Sequence, residues 1–353
     1  MSRSEPSPPR RDVETDVAIV GAGPVGLFAV FELGMLEMRC AVIDSLSAVG
    51  GQLTALYPEK PIYDIPGLPQ VQAGELVAQL QAQAAPFAPR YLLDQQVTSL
   101  ARDEAGGGWR LETSAGTRIA CRAVILAAGS GAFGPNRPPL EGLERFEARD
   151  VHYLVARRED FRGKRLVIAG GGDSAVDWAL SLAELAERIY VVHRRPKFRA
   201  APESVARMQR LAEAEGSMVE LVVPYQLAGL EGRDEAGEER LDAVVVSTLE
   251  GETRRLEADA LLAFFGLSMN LGPIADWGLA LERHQVRVAQ KTCETNLSGI
   301  FAIGDVAHSP GKLKLILTGF AEAAAAAHAI RPLVHPDREL HWEYSTTKGL
   351  PGT

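Results

Sequence analysis

The chain has 353 residues, 46% of them hydrophobic and 24% charged, with a formal net charge of −9. That length accommodates two domains of ordinary size, and the composition is that of a globular protein. The acidic balance argues against a general nucleic-acid or anionic-membrane binder. Three cysteines, Cys40, Cys121 and Cys293, lie far apart with no CxxC and no metal-ligand spacing, so no metal site is expected. Cys40 and Cys121 fall inside apolar strand patterns and read as buried structural thiols. Residues 1–15 are polar and Pro-bearing, and read as a disordered tail rather than a signal peptide. No stretch approaches the roughly 18 consecutive apolar residues of a membrane span, so a cytoplasmic enzyme is expected.

Residues 16–44 open the chain's organisation. An apolar strand, Val17-Ala-Ile-Val20, runs into the turn Gly21-Ala-Gly23-Pro24-Val25-Gly26, and an amphipathic helix follows to about Glu37. A second strand, Cys40 to Ile43, is closed by Asp44. In such a unit Gly21 allows the tight turn, Gly23 lets backbone N–H groups approach a pyrophosphate, and Gly26 lets helix and strand pack closely. The helix N-terminus offers unpaired N–H donors and a partial positive charge to phosphates, and Asp44 is spaced to accept from a ribose hydroxyl. Next come Val49-Gly-Gly-Gln52-Leu53 and a loop over 57–67, broken by Pro58, Pro61, Pro66 and Gly67. A helix is expected over 73–85. Short strands are expected over 96–100, 109–113 and 117–121, with a hairpin at 106–108. A buried strand follows over 123–129, then a Gly- and Pro-rich domain crossing over 130–139.

The opening pattern then recurs. A strand over 165–169 leads into Gly170-Gly-Gly172-Asp173-Ser174-Ala175, a helix over 176–187 and a strand over 189–192. Two dinucleotide units in one chain imply two dinucleotides. The second unit ends in His193-Arg194-Arg195, followed by Lys197 and Arg199, where the first ends in an acid. Guanidinium groups at that position suit a 2′-phosphate, through charge-assisted bidentate bonds, so NADPH is expected there rather than NADH. Antiparallel strands are expected over 219–230, 241–249 and 253–256, with the acidic run 231–239 as a solvated hairpin tip. Residues 259–266 read as a buried strand leaving the second domain, and 299–305 as an apolar strand ending in Gly304-Asp305. Residues 312–330 carry an Ala-rich run that is helical by propensity. The polar remainder, 332–353, holds Trp342 and Tyr344.

Together these residues resemble the two-dinucleotide flavoprotein family that includes the low-molecular-weight thioredoxin reductases, over about 16–353. The resemblance implies an α/β fold of two Rossmann-like three-layer dinucleotide-binding domains, with the NADPH domain inserted into a discontinuous FAD domain. The corresponding boundaries are a tail at 1–15, the FAD domain at 16–131 and 266–331, the NADPH domain at 132–265, and a tail covering the flavin at 332–353. The family's redox CxxC would precede Arg162-Gly163-Lys164, where this chain has Tyr153 and Ala156 instead. Without a dithiol, electrons cannot leave by disulfide exchange. The chain is therefore most similar to the thioredoxin-reductase-like ferredoxin/flavodoxin–NADP+ reductases. The matching segments are Gly50-Gly-Gln-Leu53 with Tyr57, Gly170 to Asp177, His193-Arg-Arg195 with Phe198-Arg199, Lys312-Leu-Lys-Leu-Ile316 running into Gly319-Phe-Ala-Glu322, and the tail Glu343-Tyr-Ser-Thr-Thr347.

The resemblance implies an NADPH:ferredoxin or flavodoxin oxidoreductase acting as a homodimer, the alternative being a thioredoxin-reductase-like enzyme or a general NADPH diaphorase with another acceptor. FAD contacts would come from Gly21, Gly23, Pro24, Gly26, Gln52, Tyr57, Val97, Phe133, Asp305 and Thr346, with Asp44 on the adenosine ribose. Tyr57 would stack on one flavin face and Tyr344 would cover the other, ordinary packing being the alternative for both. NADPH would meet Gly170, Gly172, Asp173, Ser174, Arg194, Arg195 and Arg199. A basic patch of Arg137, Arg157, Arg158, Arg162, Lys164 and Arg165 is a candidate for steering an acidic ferredoxin, a solvated mixed-charge face being the alternative.

Overall fold

A computed structural model describes residues 12–338 apart from 104–106 and 148, and the backbone alone at 132–135 and 267–269. The chain divides into two compact units, residues 1–133 with 269–353, and residues 134–268.

The first unit is built on a five-stranded parallel sheet in the order Ile300–Ala302, Ala123–Leu126, Val17–Val20, Cys40–Ile43, Arg90–Leu92. Its inner strands are continuous apolar runs, as a parallel sheet covered on both faces requires. Val17 and Ile19 face the helices Pro24–Met35, Ala73–Ala84 and Ile316–Val334. Ala18 and Val20 face the opposite way, onto Trp109, Leu111 and Ile119 of a four-stranded sheet. Helices, parallel sheet and second sheet thus make three layers.

The second unit repeats the plan. Its parallel sheet runs Val151–His152, Ala260–Ala263, Arg165–Ala169, Arg188–Val192, Val219–Val222. The helices are Asp173–Leu182 and Pro202–Glu213, and a three-stranded antiparallel sheet, 226–257, packs Val244, Val246 and Leu256 against Val167 and Leu261.

Several expectations are corrected. The tail reading of 1–15 fails from residue 12, because Asp12–Glu14 is a strand paired in parallel with Arg118–Cys121, its Val13 buried between two exposed acids. Three residues of alternation are too short a signal to read beside the prolines upstream. The single strand expected over 219–230 is two. Val219–Val222 joins the parallel sheet and Gln226–Glu235 the antiparallel one, separated at Pro224, which has no N–H to continue a ladder. The acidic run 231–239 is largely strand, with the tip at Ala236 and Gly237 (φ 59° and 86°). Its charges are paired as well as solvated, Arg233 with Asp242 and Arg255 with Glu231. The helix of the second unit starts at Asp173 and stops at Leu182, earlier than the expected 176–187, and the last long helix starts at Ile316 and continues to Val334. The helix Pro202–Glu213 and the edge strand Arg90–Leu92 are elements that the sequence reading missed.

Candidate functional site: two glycine turns and a pinned Gly-Asp turn

In the first turn the outer glycines are packed and the middle one is open. A Cβ on Gly21 (φ +115°) would stand 2.3 Å from the Ala127 carbonyl oxygen, and one on Gly26 would stand 2.1 Å from that of Gly21. A Cβ on Gly23 would meet nothing within 4 Å. Gly23 is also the N-cap of helix Pro24–Met35, with no side-chain cap, so the helix's first N–H groups border that open space. This is the shape and polarity that a pyrophosphate needs. Asp44 stands beside it. One carboxylate oxygen accepts from the Ala22 N–H (2.7 Å) and the other from the Leu46 N–H (2.9 Å), which leaves lone pairs for a ribose hydroxyl. The loop 49–53 is tied to the turn by Gly50 N–H donating to the Ala22 carbonyl (2.8 Å), and Gly51 would place a Cβ 3.2 Å from Gly23 Cα. Gln52 opens the short helix that follows, its amide facing Gly129.

The Gly-Asp turn lies in the same unit. Gly304 (φ +70°) and Asp305 follow strand Ile300–Ala302 in a single 3-10 turn, Gly304–Val306, that rests on Val25 at the start of helix Pro24–Met35. Three side chains hold it. Glu322 accepts from the Gly304 N–H (2.7 Å), Lys312 donates to the Gly304 carbonyl (2.5 Å), and Gln285 donates to the Asp305 carbonyl (2.7 Å). The half-buried Asp305 carboxylate has no hydrogen-bond partner among the described residues and is available to a ligand. Tyr57 is near it: burial, and then the Asp305 charge, push its phenol above the ordinary value. Lys60 lies 5.7 Å from the Tyr57 ring centroid. The Val97 side chain is buried in the core, leaving its backbone alone to meet a nucleotide. Phe133 sits in strand Ala132–Pro135, and its side chain lies outside the described ones, as do residues Tyr344 and Thr346 altogether.

The second turn has the same plan. A Cβ on Gly170 would stand 2.6 Å from the Phe264 carbonyl oxygen, whereas one on Gly172 would meet nothing within 4 Å. Gly172 caps the helix Asp173–Leu182 without a side-chain bond. Ser174 and Asp173 are exposed in its first turn, and one Asp173 carboxylate oxygen accepts from the Ala201 N–H (2.8 Å), which leaves the other for a ligand. Arg194, Arg195, Lys197 and Arg199 are exposed, and no carboxylate pairs with any of them among the described residues. The Arg199 N–H donates to the Gly171 carbonyl (2.7 Å), which fastens this basic loop to the turn. Beneath lies His193, 8% exposed, whose ring occupies the place where a Cβ on Gly171 would be, 2.2 Å away. Burial and the neighbouring arginines push this imidazole below its ordinary pKa. The sequence reading missed this contact; its signal was a third glycine at a turn position that tolerates side chains.

The basic patch divides differently. Arg137 pairs with Glu147 (2.6 Å), Arg157 with Asp160 (3.8 Å), Arg162 with Glu159 (2.8 Å), and Arg165 with Asp259 (2.8 Å). Steering by a concentrated positive patch is therefore replaced by the mixed-charge alternative. All three cysteines are buried, and burial pushes each thiol up to about 12. At the dithiol position Tyr153 donates instead to Glu147 (2.5 Å).

Residues 15–328 match the model of the pyridine nucleotide-disulphide oxidoreductase family. A Granulibacter bethesdensis protein named ferredoxin–NADP reductase is 63% identical over 343 residues, 97% of this chain and 96% of that protein. One of the same name from Paramagnetospirillum magneticum is 62% identical over 338 residues, 96% of this chain and 98% of that protein. Among solved structures, Lactococcus lactis thioredoxin reductase superposes with a TM-score of 0.76 at 23% identity, covering 91% of this chain and 99% of that one, a likeness of fold. The chain belongs to the pyridine nucleotide-disulphide oxidoreductase family and, within it, to the group of relatives named ferredoxin–NADP reductase.

Proposed function

We propose that this chain is an FAD-dependent NADPH:ferredoxin (or flavodoxin) oxidoreductase. The observation that carries the reading is full-length identity of up to 63% to proteins named ferredoxin–NADP reductase. When bound, FAD would accept hydride from NADPH at N5 and release two electrons singly to an iron–sulfur or flavin carrier. The chain's own part is to bind and orient. The open face of Gly23 and the uncapped helix behind it take the FAD pyrophosphate, Asp44 the adenosine ribose, and Asp305 the ribityl side. Tyr57 flanks the isoalloxazine, and the tail residues Tyr344 and Thr346 close over it. Gly172 and Ser174 take the NADPH pyrophosphate, with Arg194, Arg195 and Arg199 on its 2′-phosphate.

The thiols support the same exit route. Disulfide exchange needs an accessible thiolate, and these three are buried and held protonated at neutral pH. We propose further that the enzyme is a cytoplasmic homodimer, which light scattering on the holoenzyme and cell fractionation would check. No helix among the described residues is long and apolar enough to cross a membrane.

Stopped-flow reduction of the holoenzyme by NADPH, followed by mixing with ferredoxin, flavodoxin or thioredoxin, tests the function. Reoxidation by ferredoxin or flavodoxin faster than by oxygen is expected, with thioredoxin inert. Oxygen outrunning every carrier would overturn the proposal. Repeating the mixing with residues 342–353 deleted tests the tail, since unchanged hydride transfer would remove it from the site.

A further inference from the structure

Lys312 and Glu322 form a buried ion pair, their side chains 5% and 13% exposed, with Nζ 2.7 Å from Oε1. Burying two charges is costly and stabilises a fold poorly compared with apolar packing, so such a pair points to a specific role. Both ends reach the same residue. The ammonium donates to the Gly304 carbonyl and to Glu322 Oε2, and Oε2 also accepts from the Gly304 N–H. Gln285, 9% exposed, donates to the next carbonyl, that of Asp305, and also to Ala307.

The peptide units 303–304, 304–305 and 305–306 are therefore each held by one side chain, from Glu322, Lys312 and Gln285 in turn. None of the three comes from the strand that leads into the turn. A backbone fixed on both sides of its Cα leaves a side chain only its rotamers, and the side chain launched from this one is the Asp305 carboxylate, without a hydrogen-bond partner among the described residues.

We propose that Lys312, Glu322 and Gln285 are positioning residues that act through Asp305 to aim its carboxylate at the flavin cofactor. This rests on the placement of FAD beside Asp305 in the proposed function. A merely structural pair, one that only fastens helix Ile316–Val334 to the turn, would make the same contacts and differ in its coupling to Asp305.

The test is a double-mutant cycle on the full-length protein, read as the dissociation constant of FAD titrated onto flavin-stripped enzyme and as the flavin midpoint potential of the holoenzyme. The variant Lys312→Met with Glu322→Gln leaves no charge buried alone, and the Gln amide oxygen still accepts from the Gly304 N–H. It should raise the FAD dissociation constant about tenfold and shift the potential when Asp305 is present, and do neither in an Asp305→Asn background. Gln285→Met removes one hydrogen bond and no charge, and should show the same dependence on Asp305. It carries the test if the first variant does not fold. Equal effects in both backgrounds, or no effect in either, would overturn the positioning role while leaving the FAD site in place. Unchanged FAD binding in Asp305→Asn alone would overturn the FAD placement and the positioning role with it.

Discussion

A methyl group added at Gly172 would meet nothing within 4 Å, whereas at Gly171 it would stand 2.2 Å from the imidazole of His193. The two adjacent substitutions should therefore separate binding from stability. Gly172→Ala is expected to cost less than about 1 kcal/mol of stability, as a poorer helix cap, and to raise the KM for NADPH by about tenfold or more, because the methyl occupies the phosphate's approach. Gly171→Ala must displace a buried ring, and should cost about 1–3 kcal/mol of stability, measurable by urea unfolding. The glycine spacing made the first effect legible in the sequence. The second was not, because it depends on a ring that arrives from the far end of the next strand. Asp173 shows the same limit from the other side. Its place in the turn suggests a ligand contact, and only the folded loop reveals that one of its oxygens also holds the Ala201 N–H.

At the scale of elements, the two strand–turn–helix units differ in the residues just beyond the second strand: Asp44 after Cys40–Ile43, and after Arg188–Val192 a run of Arg194, Arg195, Lys197 and Arg199 without a carboxylate partner among the described residues. Most other arginines of the second unit already have carboxylate partners, so position and freedom together mark this run. Replacing Arg194 and Arg195 with Ala should raise the KM for NADPH about 10- to 100-fold, the worth of one or two charged hydrogen bonds. Activity with NADH should be nearly unaffected, and equal losses with both nucleotides would contradict a 2′-phosphate role. The apolar parallel strands were legible because a sheet covered on both faces demands continuous hydrophobic runs. Elements with weaker patterns were missed or merged. Helix Pro202–Glu213 buries only Met208 fully, and Val219–Val222 runs on in apolar character past the proline that ends it.

For the whole molecule, the inserted unit depends on a buried carboxylate of its own. Asp150 is 1% exposed and accepts from Arg240 Nε (3.0 Å) and from the Leu241 N–H (3.0 Å). Burial alone would push its carboxyl up, but the Arg240 and Leu241 hydrogen bonds outweigh it and leave the group below its ordinary value. A carboxyl depressed in the folded state contributes stability that is complete above its unfolded pKa of about 4 and is lost as pH falls through the folded value. Asp150→Asn should thus destabilise this unit by about 2 kcal/mol at neutral pH, with the gap to the wild type narrowing in acid. Fluorotryptophan at Trp178, the only tryptophan between residues 134 and 268, reports on this unit alone by fluorine NMR. The doubled glycine motif made the two-unit plan readable, whereas the pairing that holds Asp150 spans some 90 residues and had no local signal.

The burial of every cysteine has a practical side. A native enzyme whose three thiols are all in the core should not react with bulky maleimides or aromatic disulfide reagents, and should reveal three thiols only on denaturation. Oxidants that inactivate thiol enzymes would find no entry. A cysteine introduced at Leu249, 83% exposed, would then be the molecule's one addressable handle, so a single dye or spin label could be attached without first stripping the background.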